Sequence, residues 1–153
     1  MEKIVNELKS KQISVDTYEI KPQQDYGKPL HINPRLIYDT LVQKYTKITI
    51  KPSIPNVDKY DLLILASPIW FGTIASPMRA FIKDFSSPGK PVVCIVTSQM
   101  LLGYSKKFKD IAKKEGRFNV EYALDVVRGE IDKETLNTLL KIISKYCSKE
   151  TSN

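Results

Sequence analysis

The sequence predicts an α/β domain in which a doubly wound, mainly parallel sheet lies between two layers of helices. Three observations carry this expectation. Residues 62–66 (LLILA) and 92–96 (VVCIV) are apolar throughout, as strands are when helices cover both of their faces. Two further runs alternate apolar and polar residues, the mark of strands with one poorer face. Segments of helical periodicity separate these runs, so helix and strand alternate along the whole chain, and right-handed crossovers then make the strands parallel.

Taken in order, the chain opens on a helix, with Ile4, Val5 and Leu8 on one side, where an α/β unit ordinarily opens on a strand. In QISVDTYEI (12–20), Ile13, Val15 and Thr17 point one way, which reads as an edge strand. Asn33-Pro34 is a cap followed by a first-turn proline, and Ile37, Tyr38, Leu41, Val42 and Tyr45 form the stripe expected to be buried. Residues 21–33 and 46–60 are longer loops, and Ile48-Thr49-Ile50 within the second offers a short extra strand. Ser67-Pro68 is expected to end the LLILA strand, and Ser76-Pro77 to start a helix that buries Met78, Phe81, Ile82 and Phe85. A helix from about Tyr104 or Ser105 buries Phe108, Ile111 and Ala112 and stops at Gly116, the usual C-terminal glycine. In RFNVEYALDV (117–126), Phe118, Val120, Tyr122, Leu124 and Val126 share one strand face. The last helix starts at Asp132, with Ile131 and Leu136 as a hydrophobic staple and Leu136, Leu139, Leu140 and Ile143 as its stripe. These elements assign residues 1–148 to one domain and 149–153 to a flexible tail.

The composition narrows the function classes. A hydrophobic fraction of 42% with 27% charged residues suits a globular domain rather than a disordered chain. No apolar run approaches the roughly 20 residues that span a bilayer, and the opening MEKIVNELKSK is amphipathic rather than signal-like, so a cytoplasmic protein without a membrane partner is expected. Cys94 and Cys147 show neither metal-ligand spacing nor a disulfide pattern and read as free thiols. The formal charge of +7 rests on 20 Lys and only four Arg (35, 79, 117, 128), which are scattered singly. Nucleic-acid binding is therefore disfavoured, and the dense group Lys106, Lys107, Lys109, Lys113 and Lys114 reads as a solvated helix face. His31 is the sole histidine and precedes a helix cap, so no Ser-His-Asp or Cys-His set arises, and no catalytic side chain is expected.

In open α/β sheets ligands bind beyond the carboxyl ends of the strands, which directs attention to SPIWFGTIAS (67–76) and TSQMLLGYS (97–105). Gly72 permits close backbone approach, and Trp70 and Phe71 offer flat apolar faces beside backbone amides, a combination suited to a planar, hydrogen-bonding ligand. The stretch YDLLILASPIWFGTIASPMRAFI (60–82) closely resembles the flavodoxin family in its Tyr-Asp, apolar strand, Ser-Pro, aromatic, Gly-Thr, Pro-containing helix start and Arg-x-Phe. KPVVCIVTSQ (90–99) resembles the strand that leads to that family's second ring-binding loop.

The resemblance implies a flavodoxin-like fold and FMN as cofactor. Ser67, Pro68, Ile69, Trp70, Phe71, Gly72 and Thr73 would hold the isoalloxazine ring, with Trp70 the leading stacking residue, while Ser98, Gln99, Gly103 and Tyr104 would contact its pyrimidine edge. It implies electron transfer, or a small FMN-dependent reductase of quinone-like acceptors, with a redox protein or a nicotinamide or quinone acceptor as partner. The basic charge, with pI near 9.3, leans towards the reductase or an acidic partner. The competing expectation is a flavin-free module that acts through protein contacts.

Flavodoxins begin with a central strand and a Ser/Thr-x-Thr-Gly-Asn-Thr loop that cradles the phosphate, whereas Met1 to Val5 here align with the start of the helix that follows. The expected fold therefore lacks its first strand, and three readings compete. The natural chain starts upstream of Met1, which is favoured; or residues 13–20 pair directly with 62–66 and flavin binding is weak or lost; or a second chain, as in a homo-oligomer, supplies the strand. The α-ammonium of Met1 could attract a phosphate, against Glu2.

Overall fold

The computed structural model describes residues 1–27, 33–43, 45–100 and 102–147; His31 and the expected tail at 149–153 lie outside them. The elements are α1 (Glu2–Ser10), β1 (Glu19–Pro22), α2 (Pro34–Ile37), β2 (Ile48–Lys51), β3 (Leu63–Trp70), β4 (Thr73–Ile74), α3 (Ser76–Asp84), β5 (Pro91–Ser98), α4 (Tyr104–Gly116), β6 (Asn119–Val127) and α5 (Lys133–Cys147). The main sheet has the order β4-β3-β5-β6, with β3, β5 and β6 parallel, and β4 folding back antiparallel on the end of β3.

Helices cover both faces, as the alternation of elements requires. On one face Leu65, Val92, Cys94 and Val96 meet Met78, Phe81 and Ile82 of α3 and Phe108, Ile111 and Ala112 of α4. On the other, Val93, Ile95, Leu124 and Val126 meet Ile4 and Leu8 of α1 and the Leu136, Leu139, Leu140 and Ile143 stripe of α5. β5 is buried over Val92–Val96, as its unbroken apolar run demands. In β3 only Leu65 of the LLILA run is fully buried, because residues 63–68 have β5 on one side and no strand on the other among the described residues.

The alternating runs depart from expectation in instructive ways. Residues 13–18 are not a strand. Ile13 and Val15 still pack against the α1/α5 face, and Tyr60 holds this stretch by donating to Asp16 at 2.8 Å while its hydroxyl lies 2.8 Å from that of Tyr18. Only Glu19–Pro22 pairs, antiparallel with the short extra strand β2, as a separate two-stranded sheet that places Ile20, Ile48 and Ile50 over α3. Direct pairing of 13–20 with 62–66 is therefore not what the fold adopts.

In β6 the expected single face is split by a bulge. Val92 stands opposite Val120, yet Val93 stands opposite Tyr122, so Glu121 is the extra residue. Phe118 and Val120 consequently join the α3/α4 face, while Tyr122, Leu124 and Val126 turn to the α1/α5 face.

The segment after Asn33 corrects the sequence reading most sharply. Asn33 caps as expected, its Oδ1 accepting from the amides of Arg35 and Leu36 at 2.9 and 3.0 Å. But α2 passes at once into a π-helical stretch, Tyr38–Gln43, whose wider turn rotates the stripe away from the core. Leu36, Asp39 and Thr40 are buried instead, and Tyr38, Leu41 and Val42 are 54%, 44% and 64% exposed.

Candidate functional site

β3 does not stop at Ser67-Pro68; it runs on to Trp70. Pro68, which has no N–H, is tolerated because it stands on the open edge of the sheet. The chain then reverses through Phe71 (φ 49°) and Gly72 (φ 74°), two successive left-handed residues of the kind that make a tight hairpin turn, and returns as Thr73-Ile74. Behind the turn, Ser67 is buried and engaged: its hydroxyl donates to the Pro68 carbonyl at 2.9 Å and accepts from the Ala75 amide at 3.1 Å. That link sets the start of α3, whose cap is Ala75 rather than Ser76. The Thr73 hydroxyl is buried and makes no hydrogen bond.

The second loop leaves β5 at Ser98, beside the first, since Pro68 and Thr97 pair in the parallel register. Its far end is fixed from β6. Asp125 accepts from the amides of Tyr104 and Ser105 at 3.0 and 3.1 Å and from the Ser105 hydroxyl at 2.6 Å. The carboxylate thus caps α4, so those amides are not available to a bound anion. The Arg128 amide donates to the Ser98 carbonyl at 2.9 Å, and its Nε reaches the Gln99 carbonyl at 3.3 Å. Gly103 takes φ 101°, a conformation that suits glycine. A third tie crosses from α4 to the first loop: Lys107 Nζ donates to the Gly72 carbonyl at 2.9 Å.

The residues expected to hold a ring therefore fall on two neighbouring loops at the carboxyl ends of β3 and β5. The rims are apolar and exposed: Phe71 is 37% exposed, and Met100 and Leu102 are 80% and 73% exposed. Nothing lies within 4 Å of where a Cβ would stand on Gly72 or Gly103, so both loops leave open space above their backbones. Leu101 lies outside the described residues.

Trp70 is partly buried because Tyr26 packs against it edge to face, with centroids 6.4 Å apart at 85°. Tyr26 is 6% exposed. Its hydroxyl donates to Asp39 Oδ2 at 2.7 Å and lies 3.0 Å from Thr46 Oγ1. Burial, more than its partners, raises the phenol above its ordinary value and keeps it a donor. Tyr26, Asp39, Thr46, Lys107, Asp125 and Arg128 are the residues at this site that sequence reasoning did not find. Each acts through a partner distant in the chain, which no local pattern signals. Among the described residues no group of His, Cys, Asp and Glu could hold a metal ion, and no helix is long and apolar enough to cross a membrane.

No family model and no curated protein matches the chain. Solved structures do. It is similar to a flavoprotein from Lactobacillus acidophilus NCFM solved in complex with FMN, at 16% identity and a TM-score of 0.65 over 95% of this chain and 89% of that one. It is also similar to a putative flavoprotein from Bacteroides eggerthii DSM 20697, at 21% identity and a TM-score of 0.59, over 80% of this chain and 77% of that one. The fold is thus the flavodoxin-like α/β fold of these flavoproteins, as the resemblance in residues 60–82 implied.

Proposed function

We propose that the chain binds FMN by its ring, and acts in electron transfer or as a small FMN-dependent reductase of quinone-like acceptors. The observation that carries this reading is the pair of adjacent loops after β3 and β5, which present Trp70, Phe71, Met100 and Leu102 beside open backbone at Gly72 and Gly103. A planar ligand with polar edges suits such a seat, because aromatic faces stack on it while loop amides meet its rim. The solved complex of a structural neighbour with FMN supports the choice of ring.

In this reading Trp70 and Phe71 cover the ring, the backbones of 67–73 and of Ser98, Gln99 and Gly103 meet its polar edge, and Lys107 holds the Gly72 carbonyl and with it the hairpin turn. Bound FMN would supply the one- and two-electron chemistry, so no side chain need act as acid or base. For the phosphate the fit is poorer: Asp125 already occupies the first amides of α4, and α1 carries Glu2 in its first turn. The basic charge favours an acidic redox partner or an anionic acceptor.

A flavin-free module that works through protein contacts is the second reading, favoured by the exposed apolar side chains of Tyr38, Leu41 and Val42. Titration of FMN fluorescence with the purified chain separates the two. Saturable quenching with a shifted visible spectrum is expected from stacking; FMN that keeps its free fluorescence at high protein concentration would sink the flavin reading.

A further inference from the structure

We infer that Tyr26 is a positioning residue for Trp70, and that the π-helical segment after Asn33 exists in its inside-out form to hold Tyr26 in place. The inference goes beyond the flavin reading in assigning a role to Tyr26, Asp39 and Thr46, and it rests on that reading only where FMN affinity is the measurement.

Four observations converge. Tyr26 meets Trp70 edge to face at 6.4 Å, so the indole plane is set by a ring that is itself buried. The Tyr26 hydroxyl is held from two sides, by Asp39 at 2.7 Å and Thr46 at 3.0 Å, which removes its freedom to swing. Its backbone carbonyl accepts from Asn33 Nδ2, the same side chain that caps α2. Finally, Asp39 and Thr40 are buried while Tyr38, Leu41 and Val42 face solvent. Burying a carboxylate in place of three large apolar side chains is costly unless it is partnered; Tyr26 donates to Asp39 Oδ2 at 2.7 Å, while the exposed Arg35 guanidinium stands farther off, its Nε 4.0 Å from the same oxygen. The segment therefore gives up apolar burial of its own to fix an aromatic ring behind Trp70.

The test uses Trp70 as its own reporter, since it is the sole tryptophan. Tyr26→Phe removes both hydroxyl contacts, and the milder Thr46→Val removes one; far-UV circular dichroism shows which variants are folded. In the flavin-free chain both are expected to raise acrylamide quenching of Trp70 emission. FMN affinity is expected to fall by about two- to ten-fold, the net worth of one hydrogen bond that holds the ring, and to fall no further when Trp70 is already Phe. Parental quenching in both folded variants would overturn the inference, as would an equal affinity loss with and without Trp70. If the parent chain binds no FMN, the flavin reading fails, and the quenching comparison alone decides the role of Tyr26.

Discussion

Gly116 lies so close beneath the Phe118 ring that a Cβ on Gly116 would run into it and would also press on the Ile82 methyl at 3.0 Å. The sequence marks this glycine as the stop of α4, which it is, but the left-handed residue there is Arg117, at φ 55°. Two opposite effects follow. Gly116→Ala should destabilise the fold by about 1–3 kcal/mol through overpacking. Arg117→Gly should stabilise it by up to about 1 kcal/mol through relief of the left-handed penalty, less the entropy that glycine adds to the unfolded chain. Urea midpoints at unchanged slope would check both, and the reverse order would contradict the packing described.

The rotated π-helical segment makes a second prediction. Leu36→Ala should cost about 2–5 kcal/mol, as for a buried leucine, whereas Tyr38→Ser and Val42→Ser should stay within about 0.5 kcal/mol. Had the segment been a regular helix with Tyr38, Leu41 and Val42 inward, the ranking would be inverted. Thermal melts of the three variants distinguish the two arrangements.

This segment also shows where sequence patterns stop being informative. β5 and α5 were legible because each buries its apolar residues against whatever covers it, with no need of a particular partner. The inward face at 34–43 was not, because Asp39 is buried for a hydroxyl 13 residues away. In β6 the alternation was read correctly, yet one extra residue, Glu121, sent its two halves to opposite faces, and bulges leave little trace in a period of two. The candidate site divides in the same way. Its loops were visible as breaks after apolar runs; the Lys107, Asp125 and Arg128 ties that shape them arise only once α4 and β6 pack beside β5.

Asp125 gives a third prediction. Asp125→Ala leaves the Tyr104 and Ser105 amides without their cap, at a cost of about 0.5–2 kcal/mol. The effect should be local, appearing as faster amide exchange at 104–106 before any change in the α1/α5 face. Uniform loosening across both faces would show that Asp125 does more than cap α4.

Cys94 sits at 0% exposure within β5, and burial pushes its thiol up from 9.0 to about 12. A folded-state value above the unfolded one means that the neutral thiol is favoured by folding. Its stabilising contribution is complete below about pH 9 and is lost as pH rises towards 12, because the unfolded chain releases the proton first. Stability measured from pH 8 to 11 should therefore decline, and decline less in Cys94→Ala relative to that variant's own value at pH 8. Ellman's reagent at pH 8 should modify Cys147, which is partly exposed, well before Cys94. Fast modification of both thiols in the folded chain would show β5 to be less protected than its packing implies.

The most discriminating substitution at the site is Trp70→Ala. If Trp70 stacks on the flavin ring, FMN affinity should fall by about 1–3 kcal/mol, on the scale of base–aromatic stacking. Folding should suffer less than the roughly 3–5 kcal/mol lost when a fully buried tryptophan is truncated, because Trp70 is only partly buried and what goes is chiefly its edge-to-face contact with Tyr26, worth about 0.5–1.5 kcal/mol. Parallel FMN titrations and urea denaturation read the two quantities separately. A large affinity loss with a small stability loss supports Trp70 as the ring's stacking residue, whereas a core-sized stability loss with unchanged FMN affinity makes it a strut for the hairpin and leaves the ring to Phe71 and the 98–104 loop.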